Sequence, residues 1–184
     1  IVMGHSLGGF LSLYMALNSK EVAKLIVVDG LAYMGAAQDP NATPESMKTI
    51  SENMRDGIQS QSPEEFEKSQ PKILETMISS SDKIKIAMDW GRKSDAKIVS
   101  QAMYELFQWD LREEVSDIKI PTLILGSWAG YKDYGVTKEM VEKNFYQQFA
   151  KINNKQILLS ETSKHFIMWD DEDFLMRSIN RFLD

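Results

Sequence analysis

The stretch Ile1-Val2-Met3-Gly4-His5-Ser6-Leu7-Gly8-Gly9-Phe10 decides how the chain reads. A short apolar run ends on a serine set between glycines, and a helical pattern follows. Over residues 7–18, Leu7, Leu11, Tyr14, Met15 and Leu17 leave one apolar stripe. Gly4-x-Ser6-x-Gly8 between a strand and a helix marks a sharp turn that lifts a serine clear of the backbone. Crowding at such a turn requires small residues two before and two after the serine. The serine then projects at the carboxyl edge of the sheet. The helix that follows offers free N–H groups and the positive end of its dipole to a developing oxyanion. The Leu7 amide is the expected donor.

Three more apolar runs extend the pattern. Ala23-Lys-Leu-Ile-Val-Val28 ends at Asp29-Gly30, Ile120-Pro-Thr-Leu-Ile-Leu-Gly126 is a second run, and Gln156-Ile-Leu-Leu-Ser160 is a third. Continuous runs of this kind predict strands covered on both faces, as in a parallel sheet. A helix is expected over 137–151, with Val141, Phe145 and Phe149 on one face. Another starts at Asp170 or Asp171 and carries Phe174, Leu175, Ile179, Phe182 and Leu183. The alternation of strand and helix predicts an α/β fold, a doubly wound parallel sheet flanked by helices.

Residues 36–112 interrupt that alternation. They contain no buried-strand run, and two helix starts stand out: Thr43-Pro44-Glu45, and the capping box Ser62-Pro63-Glu64-Glu65. This segment is expected to be a helical insert, with the α/β core formed by 1–35 and 113–184. Its Met47, Met54, Met77, Met88 and Met103, with Phe66, Trp90, Tyr104, Phe107 and Trp109, are read first as core packing and second as substrate lining.

Totals narrow the partners. The 184 residues carry a net charge of −6 and no basic run that could track phosphates, which argues against nucleic acid and anionic membranes. No apolar run reaches the roughly 18 residues of a membrane helix. Cysteine is absent, so disulfides and thiolate chemistry are excluded. No metal or organic cofactor is expected, and no compartment can be assigned.

A serine nucleophile needs a base, and the chain has two histidines. His5 neighbours Ser6 on a strand end, where adjacent side chains point to opposite sides. His165, in Ser163-Lys164-His165-Phe166, follows the last strand at the sheet edge where α/β sites form, and is the expected base. The orienting acid should lie between them in sequence. Asp133, in the loop after the 120–126 strand, is the first candidate. Asp29 is the second, with the alternative role of capping a turn with Gly30.

Taken together, Gly-His-Ser-Leu-Gly-Gly, Leu-Ile-Val-Val-Asp-Gly, the helical insert, Pro-Thr-Leu-Ile-Leu-Gly and the late Lys-His-Phe-Ile-Met resemble the α/β-hydrolase superfamily with a helical cap. The resemblance covers essentially the whole chain. It implies Ser6 as nucleophile, His165 as base and Asp133 as acid, although the family's acid stands about three residues after the glycine ending its strand, where this chain has Ala129. It implies a serine hydrolase acting on carboxylic esters of small to medium apolar acyl groups. Amidases, aminopeptidases, carbon–carbon bond hydrolases, haloperoxidase-like enzymes and acyltransferases share the scaffold. Serine at the turn argues against a haloalkane dehalogenase.

The resemblance begins at the family's fifth strand, so the chain is expected to be the C-terminal portion of a longer hydrolase. The loop after the family's third strand, which supplies a second oxyanion amide, has no counterpart here. A rival reading is therefore a catalytically incomplete fragment, since one lost oxyanion donor costs on the order of a hundredfold in rate. Something is expected to cover the apolar edge strand: a second copy of the chain, a missing partner fragment, or rearranged N-terminal residues.

Overall fold

The computed structural model describes residues 1–184. Contacts divide them into two units: residues 1–32 with 111–184, and residues 33–110.

The first unit is built on four parallel strands, β1 (Val2–His5), β2 (Leu25–Val28), β3 (Thr122–Gly126) and β4 (Lys155–Leu159), in the order β1-β2-β3-β4. In register, His5 pairs with Val28, Val28 with Leu125, and Gly126 with Leu159, so the carboxyl ends of all four strands finish at one edge. Every residue of β2 and β3 is buried, as continuous apolar runs require of strands covered on both faces. β1 lies at one border of the sheet, and its Met3 is 57% exposed.

The two faces carry different helices. Ile26, Val28, Leu123 and Leu125 pack with Ile167, Leu175 and Phe182, which belong to α7 (Ile167–Asp170) and α8 (Glu172–Leu183). Val27 points to the opposite face. There it meets α1 (Leu7–Asn18), because a Cβ added at Gly9 would stand 3.2 Å from the Val27 Cγ1. Helices on both faces of a parallel sheet are the doubly wound arrangement expected from the alternation. Between β3 and β4 runs α6 (Lys138–Gln148), whose Phe145 ring covers Gly126. Asp171 is the N-cap of α8, its side chain accepting from the Phe174 amide at 3.2 Å.

The second unit contains no strand. Its helices are α2 (Pro44–Ser60), α3 (Pro63–Met77), α4 (Ser81–Lys93) and α5 (Ala96–Gln108). Both starts read from the sequence carry a full capping box with proline in the first turn: Thr43 with Ser46, and Ser62 with Glu65. The pair α2 and α5 is joined through small buried residues, with Gln59 donating to Ser100 (3.0 Å) and Gln108 donating to Ser51 (2.9 Å). Met88 and Leu106 are buried and Met47 packs against Tyr33, Ala36 and Ala42, whereas Trp90 and Trp109 remain about half exposed. The core reading of the methionines and aromatics thus holds for some of them only.

Candidate active site

Each strand of the sheet delivers a residue to the common edge: Ser6 after β1, Asp29 after β2, Ser127 after β3, and His165 in the loop after β4. The first two stand on strained backbone. Ser6 has φ 55° and Asp29 has φ 46°, and no other non-glycine residue has a positive φ. Strain of this kind costs on the order of 1–3 kcal/mol at each position and persists only where the surroundings enforce it. At Ser6 they do. Its amide donates to the Val28 carbonyl (2.9 Å), and its own carbonyl accepts from the amides of Gly9 and Phe10 (2.9 and 3.2 Å). The Ser6 side chain makes no capping bond to α1, so its hydroxyl is not committed to the helix it starts. The amides of Leu7 and Gly8 lie in the first turn, where a helix supplies no carbonyl partner.

The glycines divide the crowding unequally. A Cβ at Gly4 would fall 1.9 Å from the Gly8 carbonyl oxygen, whereas one at Gly8 would meet nothing within 4 Å. The expectation that both flanking positions must be small is corrected accordingly. The second tight position is Gly9, packed against Gly30 across the turn.

His165 is 13% exposed, and its Nδ1 stands 2.6 Å from Oδ2 of Asp29, itself 8% exposed. Asp29 is held in turn by Ser127, whose amide donates to Oδ1 (2.7 Å) and whose hydroxyl donates to Oδ2 (2.8 Å). A carboxylate can only accept, so Nδ1 carries the hydrogen and Nε2 of the neutral ring is left bare as a proton acceptor. Of the two acids expected from the sequence, Asp29 is the one brought against His165. Asp133 is exposed in the 3₁₀ turn Ala129–Tyr134. From that turn it is Tyr131 that feels the Asp29 carboxylate. Burial first, and that charge second, push its phenol above the ordinary range. The register accounts for the contact: Asp29 follows β2 directly, so a short side chain on a strained backbone already reaches the edge.

The loop carrying His165 is fixed by polar side chains. Ser160 donates to Asp171 (2.8 Å) and accepts from the Ser163 amide (3.0 Å), while Asp170 accepts from the Lys164 amide (3.0 Å). His5 reaches this loop as well. Its Nε2 lies 3.0 Å from the His165 carbonyl oxygen, and its ring centroid is 4.5 Å from that of His165 and 4.9 Å from that of Phe166. Sequence reasoning set His5 aside and did not single out Ser127. An apolar strand ending in Asp-Gly was the available sign for Asp29; nothing marked Ser127.

Burial, followed by the neighbouring His165 imidazole, lowers the His5 pKa from 6.5 to about 4, outweighing the opposing effects of the His165 carbonyl and Asp29. Above pH 6.5 the ring is neutral in both folded and unfolded chains, and its ionisation adds nothing to the pH dependence. Below 6.5 the unfolded chain takes up a proton that the folded chain refuses. Stability therefore falls as pH drops from 6.5 toward 4, by about 3 kcal/mol for this group. Urea unfolding at pH 7.5 and pH 4.5 should show that loss, and His5→Gln should remove most of it. An equal loss in the variant would assign the effect to other groups.

The class is settled by the fold: a parallel sheet wound on both faces, a serine on a left-handed strand-to-helix turn, and a histidine after the last strand are the α/β-hydrolase fold. Solved structures agree. A hydrolase from Pseudomonas aeruginosa superposes with a TM-score of 0.76 at 12% identity, over 98% of this chain and 63% of that one. An enol-lactonase from Burkholderia xenovorans gives 0.69 at 14% identity, with 98% and 64% covered. An esterase from Exiguobacterium antarcticum gives 0.68 at 19% identity, with 99% and 66% covered. In sequence, a proline iminopeptidase of Flavobacterium johnsoniae is 22% identical over 204 residues, covering 100% of this chain and 64% of that protein. No protein-family model matches the chain. The chain thus spans slightly less than two thirds of the length of these proteins.

Proposed function

We propose that the chain carries the triad of a serine hydrolase: Ser6 as nucleophile, His165 as general base and Asp29 as orienting acid, acting on carboxylic esters of small to medium apolar acyl groups. The observation that carries this reading is the 2.6 Å contact between His165 Nδ1 and Asp29 at the sheet edge where Ser6 stands on strained backbone. Ser6 attacks the ester carbonyl while its proton passes to His165 Nε2. Asp29 steadies the imidazolium, and the Leu7 amide donates to the oxyanion. His165 then returns the proton to the leaving alcohol, and water, activated by the same ring, releases the acyl group from Ser6. The esterase and enol-lactonase with this fold support an ester substrate.

A fluorophosphonate probe should label the 184-residue chain at Ser6, and neither Ser6→Ala nor His165→Ala should be labelled. Hydrolysis of p-nitrophenyl butyrate should follow the same pattern. Wild-type chain that labels no faster than Ser6→Ala would overturn the reading in favour of an incomplete fragment. The likeness to a proline iminopeptidase favours a second substrate class, an amide following an N-terminal proline. Turnover of L-proline p-nitroanilide in preference to the butyrate ester would select it.

A further inference from the structure

We propose that His5, the residue preceding Ser6, is a positioning residue that clamps the main chain of His165 and so keeps the His165 ring in register for proton transfer. This rests on the triad reading above. A carbonyl oxygen only accepts, so the 3.0 Å contact to the His165 carbonyl requires the hydrogen on Nε2 of His5. The same carbonyl also accepts from the Ile167 amide (3.1 Å), the first residue of α7. The His165 main chain is therefore tied on one side to the strand that bears the nucleophile and on the other to the helix that follows.

Ring contacts close the clamp. His5 lies against both His165 and Phe166, and Phe166 stacks on Trp169 with centroids 4.8 Å apart and planes 12° apart. The bond from His5 to the His165 carbonyl joins β1 to the His165 loop. Ties from Ser160, Asp170 and Asp171 are local to the loop and the helices after it, while Trp128 (to the Glu161 carbonyl, 3.2 Å), the Ala129 amide (to the Ser163 carbonyl, 3.3 Å) and Lys138 (to the Glu161 carboxylate) hold the loop to the segment after β3, not to the strand that bears Ser6. Asp29 fixes the ring through Nδ1 but not the main chain. Burial keeps His5 uncharged down to about pH 4, so no second positive charge stands beside the imidazolium that forms during turnover. The titratable groups facing His5 are His165 and Asp29.

Two variants separate the hydrogen bond from the packing. His5→Phe keeps an aromatic ring and removes the donor; His5→Gln keeps a donor on a side chain of similar reach. Two readouts are followed on the full chain: kcat and KM for p-nitrophenyl butyrate, and the downfield proton NMR signal of His165 Nδ1–H. In His5→Phe we expect kcat to fall by about 10- to 100-fold, as for a small misplacement of a catalytic group, with little change in KM. We expect the Nδ1 proton signal to broaden or vanish with it. His5→Gln should recover most of kcat and a sharp signal. A His5→Phe variant with wild-type kcat and a sharp signal would overturn the proposal, and so would a His5→Gln variant no better than His5→Phe. If wild-type chain shows no Ser6-dependent turnover, the triad reading fails. The NMR comparison still decides whether His5 holds His165.

Discussion

Asp29→Asn is expected to lower Ser6-dependent ester hydrolysis by about 10³- to 10⁴-fold, and Asp133→Asn to leave it unchanged. The size of the effect follows from which hydrogens the carboxylate receives. Oδ1 accepts from the Ser127 amide, and Oδ2 accepts from the Ser127 hydroxyl and faces His165 Nδ1. An asparagine must keep its oxygen toward the Ser127 amide, which can only donate. Its NH₂ then replaces Oδ2 and points a hydrogen at Nδ1. The imidazole answers by moving its own hydrogen to Nε2, the atom that must take the Ser6 proton. Ring and backbone stay in place while the tautomer becomes the wrong one. Steady-state hydrolysis of p-nitrophenyl butyrate by both variants is the test. A silent Asp29→Asn beside a crippled Asp133→Asn would return the acid to the loop after β3.

Gly4→Ala should destabilise the chain by more than about 4 kcal/mol, enough that little folded protein is recovered. The added Cβ would lie 1.9 Å from the Gly8 carbonyl oxygen, 2.2 Å from its carbon and 2.7 Å from the Gly9 nitrogen. All three are backbone atoms of the first turn of α1, and none can rotate away. Moving them would shift α1 off the sheet or unwind the turn that holds Ser6. Gly8→Ala is the control. Its methyl group enters open space, and alanine is a better helix residue than glycine by about 1 kcal/mol, so the variant should be as stable as the parent or more so. Urea denaturation of the pair gives the comparison. Equal midpoints would show that the turn yields more readily than its backbone contacts allow.

Much of the fold is legible in the sequence because burial on both faces leaves a plain trace. Leu25–Val28 and Thr122–Gly126 are runs that only a covered parallel strand tolerates, and both are strands. Helix α1 spans the expected Leu7–Asn18, but it buries Gly9, Phe10, Ser12 and Leu13, while Leu11, Tyr14 and Met15 of the predicted stripe stay exposed. The last helical segment is less regular than its pattern. A four-residue helix, Ile167–Asp170, precedes α8, since Asp171 both ends the first and caps the second. In α3, Pro71 lies within the helix, where local preference would have ended it. The site divides similarly. Ser6 stands in a local motif of glycines and was visible. Asp29 depended on the pairing of β2 with β1 and β3, and on a backbone angle no local pattern announces. The contact of His5 with the His165 carbonyl spans 160 positions in the chain, and only the folded register brings it about.

The point where the chain leaves the sheet unit for residues 33–110 and the point where it returns are joined by one hydrogen bond, from the Leu111 amide to the Ala32 carbonyl at 3.0 Å. Pairing β2 with β3 therefore means closing a loop of roughly ninety residues, an entropic toll that grows only with the logarithm of loop length. Doubling that loop would add about 0.6 kcal/mol, less than a typical single substitution costs. The sheet is thus nearly indifferent to the bulk of what is spliced between these two strands, while it is intolerant of one methyl group at Gly4. Divergence under selection has a cheap direction in such an architecture: lengthening, shortening or replacing the spliced segment leaves the register of the four strand ends undisturbed.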